Sequence, residues 1–501
     1  MLVTLKNLYK RFNQFGEYHS FCPIIKSSTM AKIYRDYSSE NLDIERIIGD
    51  LEKKYWGIDK KRERLFLDSN AIQPKSTGFR LLLLKVVLDA IPESIYEKIE
   101  ISQIDILGIT HAITLYYLGL YTEMFSGIKM DATQRHNLLR GIDFSFGLKE
   151  IQLVRGCTDE KSFMTYMNLL SEDITDITNE NACLFSDKNS YFIFCTGDFV
   201  DFVILQIERV VKNVSSTQEF DAYTKSKGQL FELLTSNIVQ AISDDTYHTV
   251  YYFPNEKQRM ELDVVARKKR DLAVIECKSG TFDVSGIEQD DIIKLQIKNK
   301  VNKAYRTLNA VSDYLNNNHK YIFKSGETNI EGDVDDAFLI HVFMYPMDFI
   351  ASNIHALFKE YYNENNPILS ISIEHLVAMI IDAHKNDVCM FEYWKRRKEY
   401  IQKYPGMFFD NNELDLYYNI MVNKGSMLNE MVREGLLDSF SSECRLTSTF
   451  HNQFGEEVRP AQIMLQQLDS SMLYRIIKDG KKECKLNKRY LKNLEDYLRI
   501  E

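Results

Sequence analysis

MELDVVARKKRDLAVIECKSG, residues Met260 to Gly280, is the stretch on which the reading of this chain turns. Two apolar, β-branched runs flank one highly charged break, Arg267–Asp271, the pattern of a hairpin of core strands. Side chains alternate between the faces of a strand. Glu261, Asp263 and Val265 therefore share one face of the first strand, and Val274, Glu276 and Lys278 one face of the second. A turn centred between Lys269 and Arg270 pairs Lys268 with Asp271 and, along the same register, Asp263 with Glu276. Residues directly opposite each other have Cβ atoms ~5 Å apart and project from the same face. Two carboxylates so close repel unless a cation lies between them, and Lys278 brings an ammonium to the same end.

Asp263, Glu276, the backbone carbonyl of Cys277 and water would make a hard oxygen cage suited to Mg²⁺, with Mn²⁺ as an alternative. A metal held there would polarise a phosphate and help deprotonate an attacking water, while Lys278 holds that water or the developing negative charge. Charged groups at the ends of apolar core strands are costly for stability without a metal or substrate partner.

Working outward, a helix is predicted over about Lys225–Ile242, with Phe231, Leu234, Ile238 and Ile242 as its apolar stripe and Glu232 on the flank with Thr235 and Val239. A strand at about His248–Phe253 precedes the hairpin. A long helix from about Gln289 to Asn316, apolar at Ile297, Val301, Ala304, Leu308, Val311 and Leu315, follows it, and a strand at Ala337–Met344 closes the unit. The predicted order is αβββαβ.

With GQLFELL (Gly228–Leu234), MELDVVA (Met260–Ala266) and LAVIECKSG (Leu272–Gly280) in that order, the chain resembles the restriction-endonuclease-like PD-(D/E)XK superfamily. It is most similar in flavour to Mrr-like nucleases and to the nuclease domains attached to CRISPR-associated sensor domains. The resemblance covers about residues 220–350, a quarter of the chain. It implies that Asp263 and Glu276 bind metal, that Lys278 assists the nucleophilic water, and that Glu232 completes the catalytic site from the first helix. It also implies a Mg²⁺-dependent endonuclease acting on DNA and leaving a 5′-phosphate. Two alternatives stay open: a non-catalytic nucleic-acid-binding or complex subunit with a nuclease fold, and cleavage of RNA, which depends on contacts to the 2′-OH.

Other features have bland and functional readings side by side. Glu261 either borders the site or adds a carboxylate to it. Lys294 and Lys298, at i, i+4 on the long helix, are candidates to touch a nucleic-acid backbone. Arg267–Arg270 reads as a solvated turn. FEYWKRRKEY (Phe391–Tyr400) reads as a packing helix with a basic outer face ahead of a stacking platform for single strands. The basic stretch 473–493 carries the same two readings, and His375 and His384 have no third ligand nearby.

At 501 residues and 45% hydrophobic, the whole chain can bury large cores and should fold throughout. The organisation expected is α/β (α+β overall): a mostly helical or mixed region 1–215, the nuclease domain 220–350, and a helical region 351–501 with a basic tail. Helices are predicted at Phe79–Ala90, Ile104–Phe125, Phe163–Leu170 and Asp198–Val211, strands at Ile151–Val154 and Tyr191–Cys195, and a linker at 212–219. The net charge of −10 argues against constitutive coating of nucleic acid, so local patches, a metal or a partner must supply that contact. The uncharged stretch Ile106–Thr122 reads as a buried helix, and no membrane partner is expected. The eight cysteines lack zinc spacing, and no secretory signal is visible; a cytoplasmic location is expected. A free intracellular nuclease is dangerous. The resemblance therefore suggests a conditional effector, of the antiviral-defence or restriction kind, with a homo-oligomer or a regulatory protein as possible control.

Overall fold

The computed structural model describes residues 75–125, 145–178, 182–187, 190–193, 196–255, 258–280, 290–317, 320–345, 348–357, 363–405, 408–409, 413–423, 443–444, 450–451, 457–458 and 460–498. The fold is mixed α/β. Its described residues form two compact units, one from 75–224 with 469–498, the other from 225–468.

The first unit contains α1 (Thr77–Asp89), α2 (Glu93–Ile99), α3 (Gln103–Phe125), α4 (Leu148–Val154) and α5 (Glu160–Leu170). A three-stranded sheet follows, β1 (Glu172–Asp173), β2 (Leu184–Asp187) and β3 (Ser190–Ile193), then α6 (Thr196–Val214) and the first turns of α7 (Thr217–Val239). The predicted uncharged stretch is the body of α3. Ile106, Ile109, Ala112, Ile113 and Leu115 are fully buried there, and no described helix is long and apolar enough to cross a membrane. Gly108 permits a close approach, since a Cβ at that position would clash with Arg155 Nε. Arg155 in turn pairs with Asp105 at 2.8 Å and donates to the Cys484 carbonyl at 3.0 Å.

Two expectations are corrected here. Ile151–Val154 is helical, not a strand: Glu150 Oε2 accepts the Gly147 N–H at 2.8 Å, opening α4, and Ile151 and Val154 are buried at a spacing of three. The predicted linker 212–219 shrinks to Ser215–Ser216. Ser216 Oγ accepts the Glu219 N–H at 3.3 Å and Glu219 Oε2 accepts the Ser216 N–H at 2.8 Å, so the polar run is a capping box rather than a tether.

His111 on α3 gives this unit an acid-sensitive core. Both ring nitrogens are buried without a hydrogen-bond partner, and burial, reinforced by Lys85 and Arg155, drops the pKa to about 3. Between the ordinary value near 6.5 and about 3, only the unfolded chain binds the proton, so stability is intact above pH 6.5 and lost as pH falls through that window. From pH 7 to pH 5 the loss from this residue is expected to be about 2 kcal/mol. Urea midpoints at the two pH values should separate less in His111→Leu than in the wild type; equal separations would sink the assignment.

The second unit is built on a seven-stranded sheet. After α7 come β4 (Asp245–Asn255), β5 (Gln258–Lys268), β6 (Asp271–Lys278), α8 (Asp290–Asn317), β7 (Lys320–Ser325), β8 (Thr328–Asp333) and β9 (Ala337–Phe343). These are followed by α9 (Asp348–Leu357), β10 (Ile368–Ser372), α10 (Ile373–Lys385), α11 (Met390–Lys403) and the short α12 (Glu413–Tyr417). The spatial order is β10-β9-β6-β5-β4-β7-β8. β4, β5 and β6 form an antiparallel meander, while β9 runs parallel to β6 and β10 parallel to β9. Val301, Ala304, Tyr305, Leu308 and Val311 of α8 pack on one face against Val250, Leu262, Val265, Val274 and Leu339.

The expected αβββαβ order is present, but the unit does not close at β9. The β7–β8 hairpin extends one edge beside β4, and β10 extends the other. Short strands explain the omission. Only Tyr321 and Phe323 of β7 point inward, and the turn between β7 and β8 holds Gly326 at φ 56°, a left-handed conformation natural to glycine.

The basic motifs are absorbed by structure. In α11 Phe391, Tyr393, Trp394 and Arg397 are buried, Lys395 pairs with Asp336 at 2.8 Å, and Lys398 donates to the Ala337 carbonyl at 3.3 Å. This is the packing helix, not an open stacking platform. In the 267–270 turn, Arg267 pairs with Asp245, Lys268 donates to the Ile242 carbonyl, and Arg270 pairs with Asp335 at 2.8 Å. His375 lies buried in the first turn of α10.

Candidate active site

The hairpin register fixes the site. Lys269 adopts φ 55° and its N–H is taken by Asp244 Oδ2 at 2.7 Å, holding a two-residue turn. The ladder runs from Lys268↔Asp271 to Val264↔Ile275, ending one residue short of Asp263 and Glu276. The contact is direct at the backbone: the Cys277 N–H donates to Asp263 Oδ2 at 2.7 Å. Lys278 Nζ lies 3.2 Å from Glu276 Oε2, 3.0 Å from the Cys277 carbonyl oxygen and 3.8 Å from Asp263 Oδ2. One ammonium thus touches both carboxylates and the carbonyl.

The strand is irregular at this point. A strict period of two would set Leu262 and Val265 on opposite faces, yet both join the apolar cluster beneath α8. On β4 the same happens with Val250 and Tyr247, on either side of Thr249, which has φ 52° and falls in the gap between the His248↔Val264 and Val250↔Leu262 pairs. Such breaks in alternation re-aim side chains beside functional sites. Glu261 and Asp263 are therefore not simple same-face neighbours, as alternation alone suggested.

Burial and like charge set the electrostatics. Glu276 is 3% exposed; burial first, then Asp263, pushes its carboxyl up, against the pull of Lys278. Asp263 is also pushed up by burial, with Lys278 and the Cys277 N–H pulling the other way. Burial disfavours the Lys278 ammonium, but Glu276 and Asp263 outweigh it and hold the lysine above its ordinary value. Glu232, half-buried on α7, is raised to about 7 by burial, then by Asp263 and Glu261. Thus α7 brings a third carboxylate into the field of the hairpin pair, while Glu261 itself stays exposed on β5.

Lys303 on α8 was not singled out in the sequence. It is exposed and acts electrostatically on both Glu232 and Asp263, lowering each. The only sequence signal is its place beside the apolar stripe at Val301 and Ala304. Lys294 and Lys298 belong to α8, but their side chains lie outside the described residues.

The donor set suits a hard divalent cation. Among the described residues no three His, Cys, Asp or Glu side chains converge as a metal cluster. Mg²⁺ commonly takes only one or two carboxylates and keeps water and phosphate as its other ligands, and two carboxylates with one carbonyl meet that requirement. Glu276 Oε1, buried without a hydrogen-bond partner, is an acceptor with unused capacity at this position.

Comparison with known proteins adds little. No family model matches the chain, and no curated relative does. The crystal structure of protein VC1899 from Vibrio cholerae aligns at 13% identity over 64% of this chain and 57% of that one, with a TM-score of 0.19. The alignment thus spans a little over half of that protein, at a score too low to inform fold or site.

Proposed function

We propose that the second unit is a metal-dependent phosphodiesterase of the PD-(D/E)XK type, an endonuclease that hydrolyses DNA. The observation that carries this reading is the convergence of Asp263, Glu276 and Lys278 at one end of a buried hairpin, with Lys278 Nζ within 4 Å of both carboxylates. Burying two carboxylates together is unfavourable, and a divalent cation bound by Asp263, Glu276 and the Cys277 carbonyl would offset that cost. When bound, the cation would lower the pKa of water and neutralise charge on the phosphate. Lys278 supplies a fixed ammonium for the attacking water or the pentavalent phosphate. Glu232, titrating near neutrality, is suited to exchange a proton with solvent beside the reacting group. In this reading the remaining residues provide recognition or control, so the nuclease acts conditionally, as a defence or restriction effector does.

The test is cleavage of plasmid, single-stranded DNA and matched RNA in Mg²⁺, Mn²⁺ or EDTA, with Lys278→Ala and Asp263→Ala as controls. DNA cutting that needs metal and vanishes in both variants is the expected result. Cutting that survives both substitutions would refute the site, and preference for RNA would correct the substrate.

A further inference from the structure

A row of buried polar side chains crosses three adjacent parallel strands beneath α8. Glu276 on β6 is in register with His341 on β9, and His341 with Ser370 on β10. In a parallel sheet, residues in register project from the same face about 5 Å apart. The flanking positions on this face are apolar, with Val274, Leu339 and Ile368 on one side of the row. Tyr305 descends from α8 onto the row, its hydroxyl 2.9 Å from Ser370 Oγ and its ring edge-on to His341 at 5.9 Å. All four residues are at most 4% exposed.

The far end of the row is satisfied by the Tyr305–Ser370 hydrogen bond, and the near end is not. His341 Nδ1 and Nε2 and Glu276 Oε1 are buried with no hydrogen-bond partner, while Glu276 Oε2 is held by Lys278. A buried polar atom without a partner is costly, and a leucine at position 341 would present no ring nitrogen to satisfy. The imidazole carries one N–H donor, and the adjacent in-register side chain presents one unused acceptor.

We propose that His341 is a positioning residue for Glu276, its ring N–H reaching Glu276 Oε1 through one buried water, so that the carboxylate is fixed for metal binding. Oε2 is then oriented by Lys278 and Oε1 by His341, leaving the carboxylate no rotational freedom about its last bond. Partners that orient a ligating group in this way commonly change metal affinity 10- to 100-fold when removed. The assignment rests on the nuclease reading for its function, but its first readout is metal binding rather than catalysis.

The experiment is calorimetric titration of the metal-free full-length protein with Mn²⁺, comparing wild type, His341→Leu, His341→Gln and Asp263→Ala, with thermal melts of each. His341→Leu should stay folded and melt cooperatively, since leucine suits the apolar β9, yet bind Mn²⁺ about 10- to 100-fold more weakly. His341→Gln, which retains a donor, should recover most of the affinity, and in cleavage the leucine variant should lose kcat with KM for DNA unchanged. Wild-type affinity in His341→Leu would overturn the assignment alone, as would equal weakening in the leucine and glutamine variants. A wild type that takes up no Mn²⁺, like Asp263→Ala, would overturn the nuclease reading together with it.

Discussion

Glu276→Gln is expected to impair metal-dependent cleavage severely and, at neutral pH without metal, to raise the melting temperature. The two effects share a cause. Glu276 lies 3% exposed between Asp263 and Lys278, with burial and the neighbouring carboxylate both opposing its charge. Glutamine keeps the shape and the hydrogen bond to one partner but removes the charge, so the metal-free fold sheds an unfavourable term. The same change removes one of two anionic ligands, and cleavage should fall about 10²- to 10³-fold, the range seen when a group stabilising transition-state charge is lost. Differential scanning calorimetry with and without Mg²⁺ separates the effects: metal should raise the wild-type Tm and leave Glu276→Gln unmoved. A glutamine variant that melts lower than wild type in EDTA would show that Glu276 is a structural carboxylate, satisfied without a cation.

That conflict between stability and chemistry also explains how much of the site could be read from sequence. Alternation and turn position suffice to bring Asp263, Glu276 and Lys278 together, because a two-residue turn at Lys269–Arg270 leaves one register for the whole hairpin. Glu232 is reachable because helical periodicity puts it beside, rather than on, the apolar stripe. Lys303 and His341 are not legible in this way. Lys303 reaches Asp263 and Glu232 from about forty and seventy residues away in sequence, through a packing angle that no local pattern encodes. His341 sits in AFLIHVF, an otherwise apolar β9, where a lone histidine resembles any core residue until the parallel register aligns it with Glu276.

The fold was legible where elements are long and periodic, and less so where they are short or capped by polar side chains. β4, β5, β6, α8 and β9 lie within three residues of their predicted bounds. β7, β8 and β10 escaped because each strand holds only five or six residues, and the β7–β4 and β10–β9 pairings that anchor them join segments remote in sequence. Ile151–Val154 was misassigned because two β-branched residues outweigh a capping glutamate when only propensity is counted.

Glu413→Ala should be among the most destabilising single substitutions in the second unit, at about 3–5 kcal/mol. Glu413 on α12 accepts from Arg397 Nε at 2.9 Å and from the Tyr393 hydroxyl, and Arg397 also donates to the Ser352 carbonyl at 2.9 Å. Arg397 is 1% exposed and Glu413 5%. Glu413 holds the Arg397 guanidinium above its ordinary value against the burial that disfavours its charge, while burial first and then Glu413 push the Tyr393 hydroxyl up and keep the phenol protonated inside the core. Alanine takes the Glu413 carboxylate away from a guanidinium that stays buried, which is the costly way to break a buried pair. Replacing both partners, as Arg397→Met with Glu413→Leu, removes the charges together and should recover most of the loss. Urea unfolding of the two single variants and the double variant forms a cycle whose coupling measures the pair directly. Near-additive losses would mean that the pair contributes no mutual stabilisation and that α11 and α12 are held by their aromatic contacts alone. The proposed active-site residues lie in the same unit as this pair, so Glu413→Ala should lower the temperature at which cleavage is lost without altering metal affinity in the folded protein. That outcome would distinguish a residue that supports the scaffold from Glu276, whose replacement has the reverse pattern.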